Sequence, residues 1–257
     1  MIQLEHIDKS FAEKAVLRNV SLEIHEGQTL AIIGRSGSGK SVLMKHIIGL
    51  LKPDRGRVLV DGIDINEISY RELRQVRRQF GVLFQGGALF DSMNTFENVA
   101  FPLRTFTNDT DAEIRKEVEH CLDVVNLSGV GPKKPSELSG GMKKRVALAR
   151  AISLRPRYII YDEPTSGLDP ETSNTINDLI KNLADQLNVT SIVISHDMHS
   201  VLKIADRAAF LHAMRIHWIG TIAEMHRSDD AKLRAFVKAN EYAIGEPALP
   251  SAARASS

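Results

Sequence analysis

Eight consecutive residues constrain this chain more than any other feature. Gly34-Arg35-Ser36-Gly37-Ser38-Gly39-Lys40-Ser41 is an instance of G-x-x-x-x-G-K-[ST]. The apolar run Thr29 to Ile33 precedes it and reads as a strand. Lys40 to Leu51 follows it, with Leu43, Ile47 and Leu50 at helical spacing and Pro53 just beyond to stop the helix. A strand, a glycine-rich turn and a helix in that order aim backbone N–H groups and the positive end of a helix at one point, a cradle for phosphate oxygens. In such a cradle Lys40 reaches the β- and γ-phosphates and the Ser41 hydroxyl ligates Mg²⁺. The bland alternative is a Gly/Ser-rich turn carrying a chance lysine, and it leaves the flanking strand and helix without a purpose.

A phosphate loop of this kind needs a carboxylate for its metal at the end of a nearby strand. Tyr158-Ile159-Ile160-Tyr161 is an apolar strand that delivers Asp162 to that place, and the adjacent Glu163 is a candidate base for an attacking water. A second cradle lies at Leu138-Ser139-Gly140-Gly141-Met142. Ser139 is a candidate N-cap for a helix ending before Arg155-Pro156, with two glycines behind it. One chain thus carries two phosphate-seeking elements, about a hundred residues apart.

The rest of the pattern alternates strand and helix. Val20, Leu22 and Ile24 alternate with polar residues, as do Val58 and Val60, and Val82 to Phe84 is a short strand. Asn94 to Leu127 is helical, with Ile114, Val118, Cys121 and Val125 on one face, and Gly129 to Pro135 is a loop. Thr175 to Leu187 reads as helix, Ser191 to Ile194 as strand, and Ala208 to Leu211 and Ile216 to Ile219 as closing strands. The expected fold class is α/β with a central parallel sheet.

Composition serves mainly to exclude. Among 257 residues, 33 Lys and Arg oppose 32 Asp and Glu, a formal charge of +1, so no broad basic surface points to nucleic acid. The single cysteine, Cys121, cannot form an intrachain disulfide and fits a reducing compartment. No apolar run reaches the roughly 18–20 residues that cross a bilayer. Met1 to Leu4 alternate as a strand and not as a secretory leader. Ile244 to Ser257, rich in Ala, Pro and Ser, reads as a flexible tail.

The phosphate loop, Gln85, Leu138-Ser139-Gly140-Gly141, Asp162-Glu163, Ser166-Gly167-Leu168-Asp169 and His196 stand in an order that resembles the ATP-binding cassette (ABC) family, up to about residue 225. The resemblance implies an α/β P-loop NTPase with a RecA-like core, an antiparallel β subdomain and a helical subdomain. It implies one nucleotide-binding domain over 1–240, its helical subdomain at about 88–156, and a flexible tail over 241–257. ATP and Mg²⁺ are the implied ligands. Gly34, Arg35, Ser36, Gly37, Ser38, Gly39, Lys40, Ser41 and Val42 hold the phosphates, and Ser41, Gln85 and Asp162 serve the metal. Glu163 is the implied base, and Gln85 touches Mg²⁺ or the attacking water. His196, 33 residues past Glu163, contacts the γ-phosphate. Ser139, Gly140 and Gly141 contact the γ-phosphate held by a second subunit, so a homodimer shares two ATP sites, bridged by Asp169. Phe11 stands where the family stacks an aromatic on adenine; a core Phe is the alternative.

Two features narrow the resemblance. Met142 ends the signature where Gln is more frequent, and Gln85 is followed by Gly-Gly-Ala-Leu-Phe and, further on, Asn98-Val99-Ala100-Phe101-Pro102-Leu103-Arg104. Both are similar to the Mla/Mce-associated ATPases of bacterial phospholipid trafficking. This implies an integral membrane permease, an Mce-domain lipid carrier and a small cytoplasmic regulator as partners. It also implies a peripheral place on the cytoplasmic face of the bacterial inner membrane. Phe90, Met93, Phe96 and Phe101 form an apolar cluster after Gln85, either a groove for a permease helix or the core of the helical subdomain; one or two exposed at a groove is the expectation. Lys143, Lys144, Arg145 and Arg150 read as a solvated helix face rather than a nucleic-acid patch. The alternatives are the ATPase of a small-solute importer, a non-transport ABC protein of translation or DNA repair, and an inactive regulatory cassette. Met142 and the segment from Gly86 to Arg104 argue against the first. One cassette without sustained heptads argues against the second, and the presence of Lys40, Asp162, Glu163 and His196 against the third.

Overall fold

The computed structural model describes residues 1–241. In chain order the elements are β1 (Ile2–Phe11), β2 (Lys14–Ile24), β3 (Thr29–Ile33), α1 (Lys40–Ile47), β4 (Arg55–Val60), β5 (Ile63–Asp64), α2 (Tyr70–Arg77), β6 (Phe80–Leu83), α3 (Thr95–Phe106) and α4 (Asp111–Val124). They continue as α5 (Gly140–Ile152), β7 (Tyr158–Asp162), α6 (Pro170–Leu187), β8 (Thr190–Ser195), α7 (Met198–Ile204), β9 (Arg207–His212), β10 (Arg215–Thr221), α8 (Ile222–Arg227) and α9 (Ala231–Glu241).

Two sheets result. One has the order β2-β1-β4-β5 and is antiparallel throughout; the other has the order β10-β9-β3-β8-β7-β6. In the second, β9, β3, β8, β7 and β6 run parallel and β10 closes the edge as an antiparallel hairpin partner of β9. Every residue of β3, β7 and β8 is buried, as expected for parallel strands covered on both faces.

Because successive side chains of a strand point to opposite faces, single strands feed different cores. Ile160, Ile192, Ile194 and Ile32 pack with Leu43 and Ile47 of α1 and with Leu4, Leu22 and Val58 of the antiparallel sheet. Their strand neighbours Ile159, Tyr161 and Val193 pack with Val99 and Leu103 of α3, Val118 of α4, Leu148 of α5 and Ile180 of α6. Ala31, Ile33 and Phe210 meet Met198 and Val201 of α7 and Leu233 and Phe236 of α9. The parallel sheet is therefore held from both sides, with its strand ends free to carry polar chemistry.

The helical layer lies close against the sheet edge at Gly81 in β6. A Cβ there would lie 2.3 Å from the carbonyl oxygen of Ala151 near the end of α5, so only glycine lets strand and helix approach this far.

Several expectations change. The helical stretch from Asn94 to Leu127 is two helices, each opened by a capping box: Asn94 with Glu97, and Thr110 with Glu113. α6 begins at Pro170, ahead of the expected Thr175, because Asp169 caps it and proline is favoured at the first helical position. α2, capped by Ser69 and Glu72, and α7, α8 and α9 were not expected as helices. Phe84 lies just beyond β6. The tail over 244–257 lies outside the described residues.

Candidate functional site

The site is built at the ends of β3, β7 and β8, which lie side by side. β3 runs into Gly34, where an added Cβ would meet the carbonyl oxygen of Leu211 at 2.5 Å and Ser38 Oγ at 2.9 Å, so the turn admits no side chain. Gly39 caps α1 with φ 106, a left-handed conformation for which glycine is suited, and Val16 and Leu17 of β2 press against it. The antiparallel sheet thus braces the loop from outside.

Within the loop, the Lys40 ammonium is buried. It donates to the carbonyls of Gly34 at 2.8 Å and Arg35 at 3.2 Å, and lies 4.0 Å from Glu163 Oε1. Burial lowers its pKa from the ordinary lysine value, while Glu163 and Asp162 act in the opposite sense. Ser38 Oγ is buried in the same loop with no hydrogen-bond partner in the protein. A glycine cradle, a buried ammonium and an orphan hydroxyl make a donor set that fits phosphate oxygens.

Asp162 ends β7 at 9% exposure. Burial and then the adjacent Glu163 push its carboxyl above the usual range, opposed by Lys40, Lys144 and Lys45. Ser41, at the start of α1, and Asp162 are both oxygen donors, the chemistry a hard divalent cation takes.

Glu163 departs from its strand with φ 47, left-handed for a residue with a side chain, and its N–H donates to the carbonyl of Ile194 at 2.8 Å. This bend brings its carboxylate to His196, which follows β8. The His196 Nδ1 stands 2.9 and 3.0 Å from the two Glu163 oxygens, a pairing that puts the ring proton on Nδ1 when the carboxylate is ionised. Lys40, Asp162, Glu163 and His196 are therefore one cluster.

Gln85 joins this cluster indirectly, its Nε2 donating to Ser166 Oγ at 3.5 Å. Phe11 is 46% exposed at the end of β1, with the Lys9 ammonium 5.7 Å from its ring centroid, so it is not a core residue. The second cradle lies elsewhere. Ser139 caps α5, its Oγ accepting from Met142 N at 3.3 Å, and no hydrogen bond joins Ser139, Gly140 or Gly141 to the phosphate loop among the described residues. Its neighbours are instead Leu168 and Thr172; a Cβ on Gly141 would meet Thr172 Cγ2 at 2.4 Å. Asp169 accepts from the Thr172 hydroxyl at 2.7 Å and its N–H at 2.9 Å, bonds that hold its carboxyl below the usual range.

The expectation of a solvated basic face on α5 is overturned at Lys144, Arg145 and Arg150. Lys144 is buried, donating to the carbonyls of Gln85 and, at 3.2 Å, Glu163. Arg150 donates to Gly87 at 2.9 Å and Ala88 at 2.8 Å, and Arg145 donates to Asn126 at 3.0 Å. Each cation caps loop carbonyls that helices and strands leave free. The available signal was spacing: Gly141, Lys144, Leu148 and Ala151 share one helical face. A second group was also missed. Asp197, beside His196, accepts from Ser200 Oγ at 2.5 Å and Thr165 Oγ1 at 3.3 Å, and Asn177 Nδ2 donates to Ser200 Oγ at 2.9 Å.

A glycine cradle on one parallel strand with an acidic pair on the next strand but one defines a P-loop nucleoside triphosphatase. The ABC transporter family profile matches residues 17–166, more than half the chain. The chain belongs to the ABC transporter family and is an ABC ATPase. It is 43% identical over 238 residues to the intermembrane phospholipid transport system ATP-binding protein MlaF of Haemophilus influenzae, covering 93% of this chain and 90% of that one. It is 41% identical over 236 residues to the probable ribonucleotide transport ATP-binding protein mkl of Mycobacterium leprae, covering 92% of this chain and 68% of that one. Among solved structures it is similar to the dimeric ATP-binding cassette MJ0796 in a post-hydrolysis state with ADP and Pi. That match has a TM-score of 0.80 and 33% identity, and covers 86% of this chain and 99% of that chain.

Proposed function

We propose that this chain is the ATP-hydrolysing subunit of a transporter that moves phospholipid between bacterial membranes. It would work as a homodimer docked to an integral membrane permease on the cytoplasmic face of the inner membrane. The observation that carries the hydrolytic reading is the Glu163 carboxylate, bent out of its strand to stand between Lys40 and His196. In this reading the loop from Gly34 to Val42 binds the phosphates of ATP and Phe11 stacks on the base. Mg²⁺ would be held by Ser41, Asp162 and Gln85, and supplies charge neutralisation on the phosphates when bound. Glu163 accepts a proton from the attacking water, and His196 orients that carboxylate and faces the γ-phosphate. Ser139, Gly140 and Gly141 complete the site of a partner subunit, with Asp169 beside them. Hydrolysis removes the phosphate that both chains contact, so ATP holds the dimer closed and its loss lets it open.

Phospholipid as the cargo is supported by the likeness to MlaF over nearly the full length of both chains. A groove of about 480 Å³ beside α3 and β6 supports docking to a permease: Phe90 and Phe101 are exposed along it at 42% and 37%, with Phe84, Pro102 and Phe106 beside them. Phe96 packs instead against the helical core. We further propose that residues 88–156 form the mobile helical unit of a single domain over 1–240. An Mce-domain carrier and a small regulator complete the assembly.

The test is a pull-down of tagged Glu163→Gln with ATP from native membranes in mild detergent, with proteins and lipids identified by mass spectrometry. A multi-span permease with enriched phospholipid and an Mce-domain protein supports the reading. A permease with a solute-binding protein and no lipid shifts the cargo to a small solute. Recovery of no membrane protein defeats the transport assignment.

A further inference from the structure

We infer that Lys144 is a positioning residue for hydrolysis: from α5 it grips the backbone of Gln85 and of Glu163 at once, and so fixes where the Glu163 carboxylate stands. The inference rests on the reading of Glu163 as the base.

Lys144 is 5% exposed. Burying an ammonium costs several kcal/mol unless its protons are bonded, so a lysine kept in such a place needs partners. Here they are two main-chain carbonyls from two different loops, Gln85 and Glu163. Neither is satisfied by regular secondary structure, since one lies beyond β6 and the other beyond β7. The carboxylates of Asp162 and Glu163 add favourable charge, partly offsetting a burial that lowers the lysine pKa.

The Glu163 end has a specific need. Its φ of 47 is a left-handed conformation unfavourable for a side-chain-bearing residue, held only where the surroundings enforce it. Its N–H is fixed to Ile194 and its carbonyl receives Ser166 N at 3.2 Å and Lys144 Nζ at 3.2 Å. Lys144 is the side-chain clamp on that bend, and it comes from the helix whose first turn carries Ser139, Gly140 and Gly141. Without the ammonium, two carbonyls lose a donor and the strained bend can relax, carrying the carboxylate away from Lys40 and His196. A displacement of about 1 Å at a reacting group is worth about a hundredfold in rate. If Lys144 only filled space, an apolar side chain of similar length would serve as well or better.

The experiment compares steady-state ATPase kcat and KM, ATP affinity and melting temperature for the full chain and for Lys144→Met, Lys144→Gln, Lys144→Arg and Glu163→Gln. Lys144→Met should lose roughly tenfold to hundredfold in kcat while KM stays within about twofold and the melting temperature holds. Lys144→Arg, which keeps charge and donors, should recover a measurable part of that loss. If Lys144→Met does not fold, Lys144→Gln, which keeps one donor group, is read in the same way. A kcat within twofold of the unmodified chain overturns the inference. So does a fall in kcat matched by ATP affinity and melting temperature with no recovery by arginine, since that pattern is general structural damage. Glu163→Gln separates the layers: if that variant hydrolyses ATP normally, the base assignment itself fails. If it is inactive while Lys144→Met is normal, only the role of Lys144 fails.

Discussion

The two glycine-bearing cradles of this molecule look alike in sequence and differ in construction. The loop before α1 is braced by β2, uses glycine where a Cβ would collide, and encloses its own cation, Lys40, beside two carboxylates. The turn before α5 has Ser139 and Gly140 exposed and no glycine at positive φ, and Lys144, Arg145 and Arg150 of that helix donate to loop carbonyls. The first carries within one chain the donors that the proposed phosphate site needs. The second offers a helix terminus and a hydroxyl, too little to hold a triphosphate alone but well suited to a phosphate already held by another chain. In the proposed homodimer each incomplete cradle would face a complete one.

That contrast orders the expected mutational effects. Glu163→Gln should be the most severe, cutting turnover by about 10²–10⁴-fold while ATP binding persists and a closed dimer accumulates on size exclusion. Turnover near the unmodified rate would remove Glu163 as the base. Lys40→Ala should weaken ATP binding by roughly a hundredfold in a titration, because the complete cradle loses its charge-assisted donor; retained affinity would mean that the first cradle is no more self-sufficient than the second. Ser139→Arg should leave binding to the isolated subunit within about twofold while abolishing ATP-dependent dimerisation. Normal dimerisation of that variant would break the shared-site scheme. The smallest effect is expected outside both cradles: Thr110→Ala removes the α4 cap and should cost about 1 kcal/mol of stability by denaturant melting, with nucleotide binding unaltered.

The chemistry was more legible in the sequence than the connections that support it. Gly34 to Ser41, Asp162-Glu163 and Ser139-Gly140-Gly141 each lie at a strand end or helix start, where local pattern and the proposed function coincide. Phe11 was ambiguous, and its exposure at the end of β1 separates it from the core. Lys144 was misread because a run of Lys-Lys-Arg looks solvated; the partners that justify its burial are carbonyls 59 and 19 residues away. Main-chain acceptors leave no trace in residue identity, so such a contact is invisible until the loops are in place. The left-handed bend at Glu163 is hidden for the same reason, since glutamate carries no turn signal. By contrast, α2 and the break between α3 and α4 carry a local signal: Ser69-x-x-Glu72 and Thr110-x-x-Glu113 are capping boxes.

The close approach at Gly81 has a mechanical consequence. The last turn of α5 lies so close against β6 that a methyl group at Gly81 would push it away, and a rotation of α5 about that contact would move its far end most. Ser139 lies twelve residues up the axis, an arm of about 18 Å at the usual rise. A tilt of about 10° at the pivot sweeps the far tip through about 3 Å, the reach of one hydrogen bond. A rotation about that one glycine would thus turn a small angle at the sheet edge into contact or separation at the opposite tip.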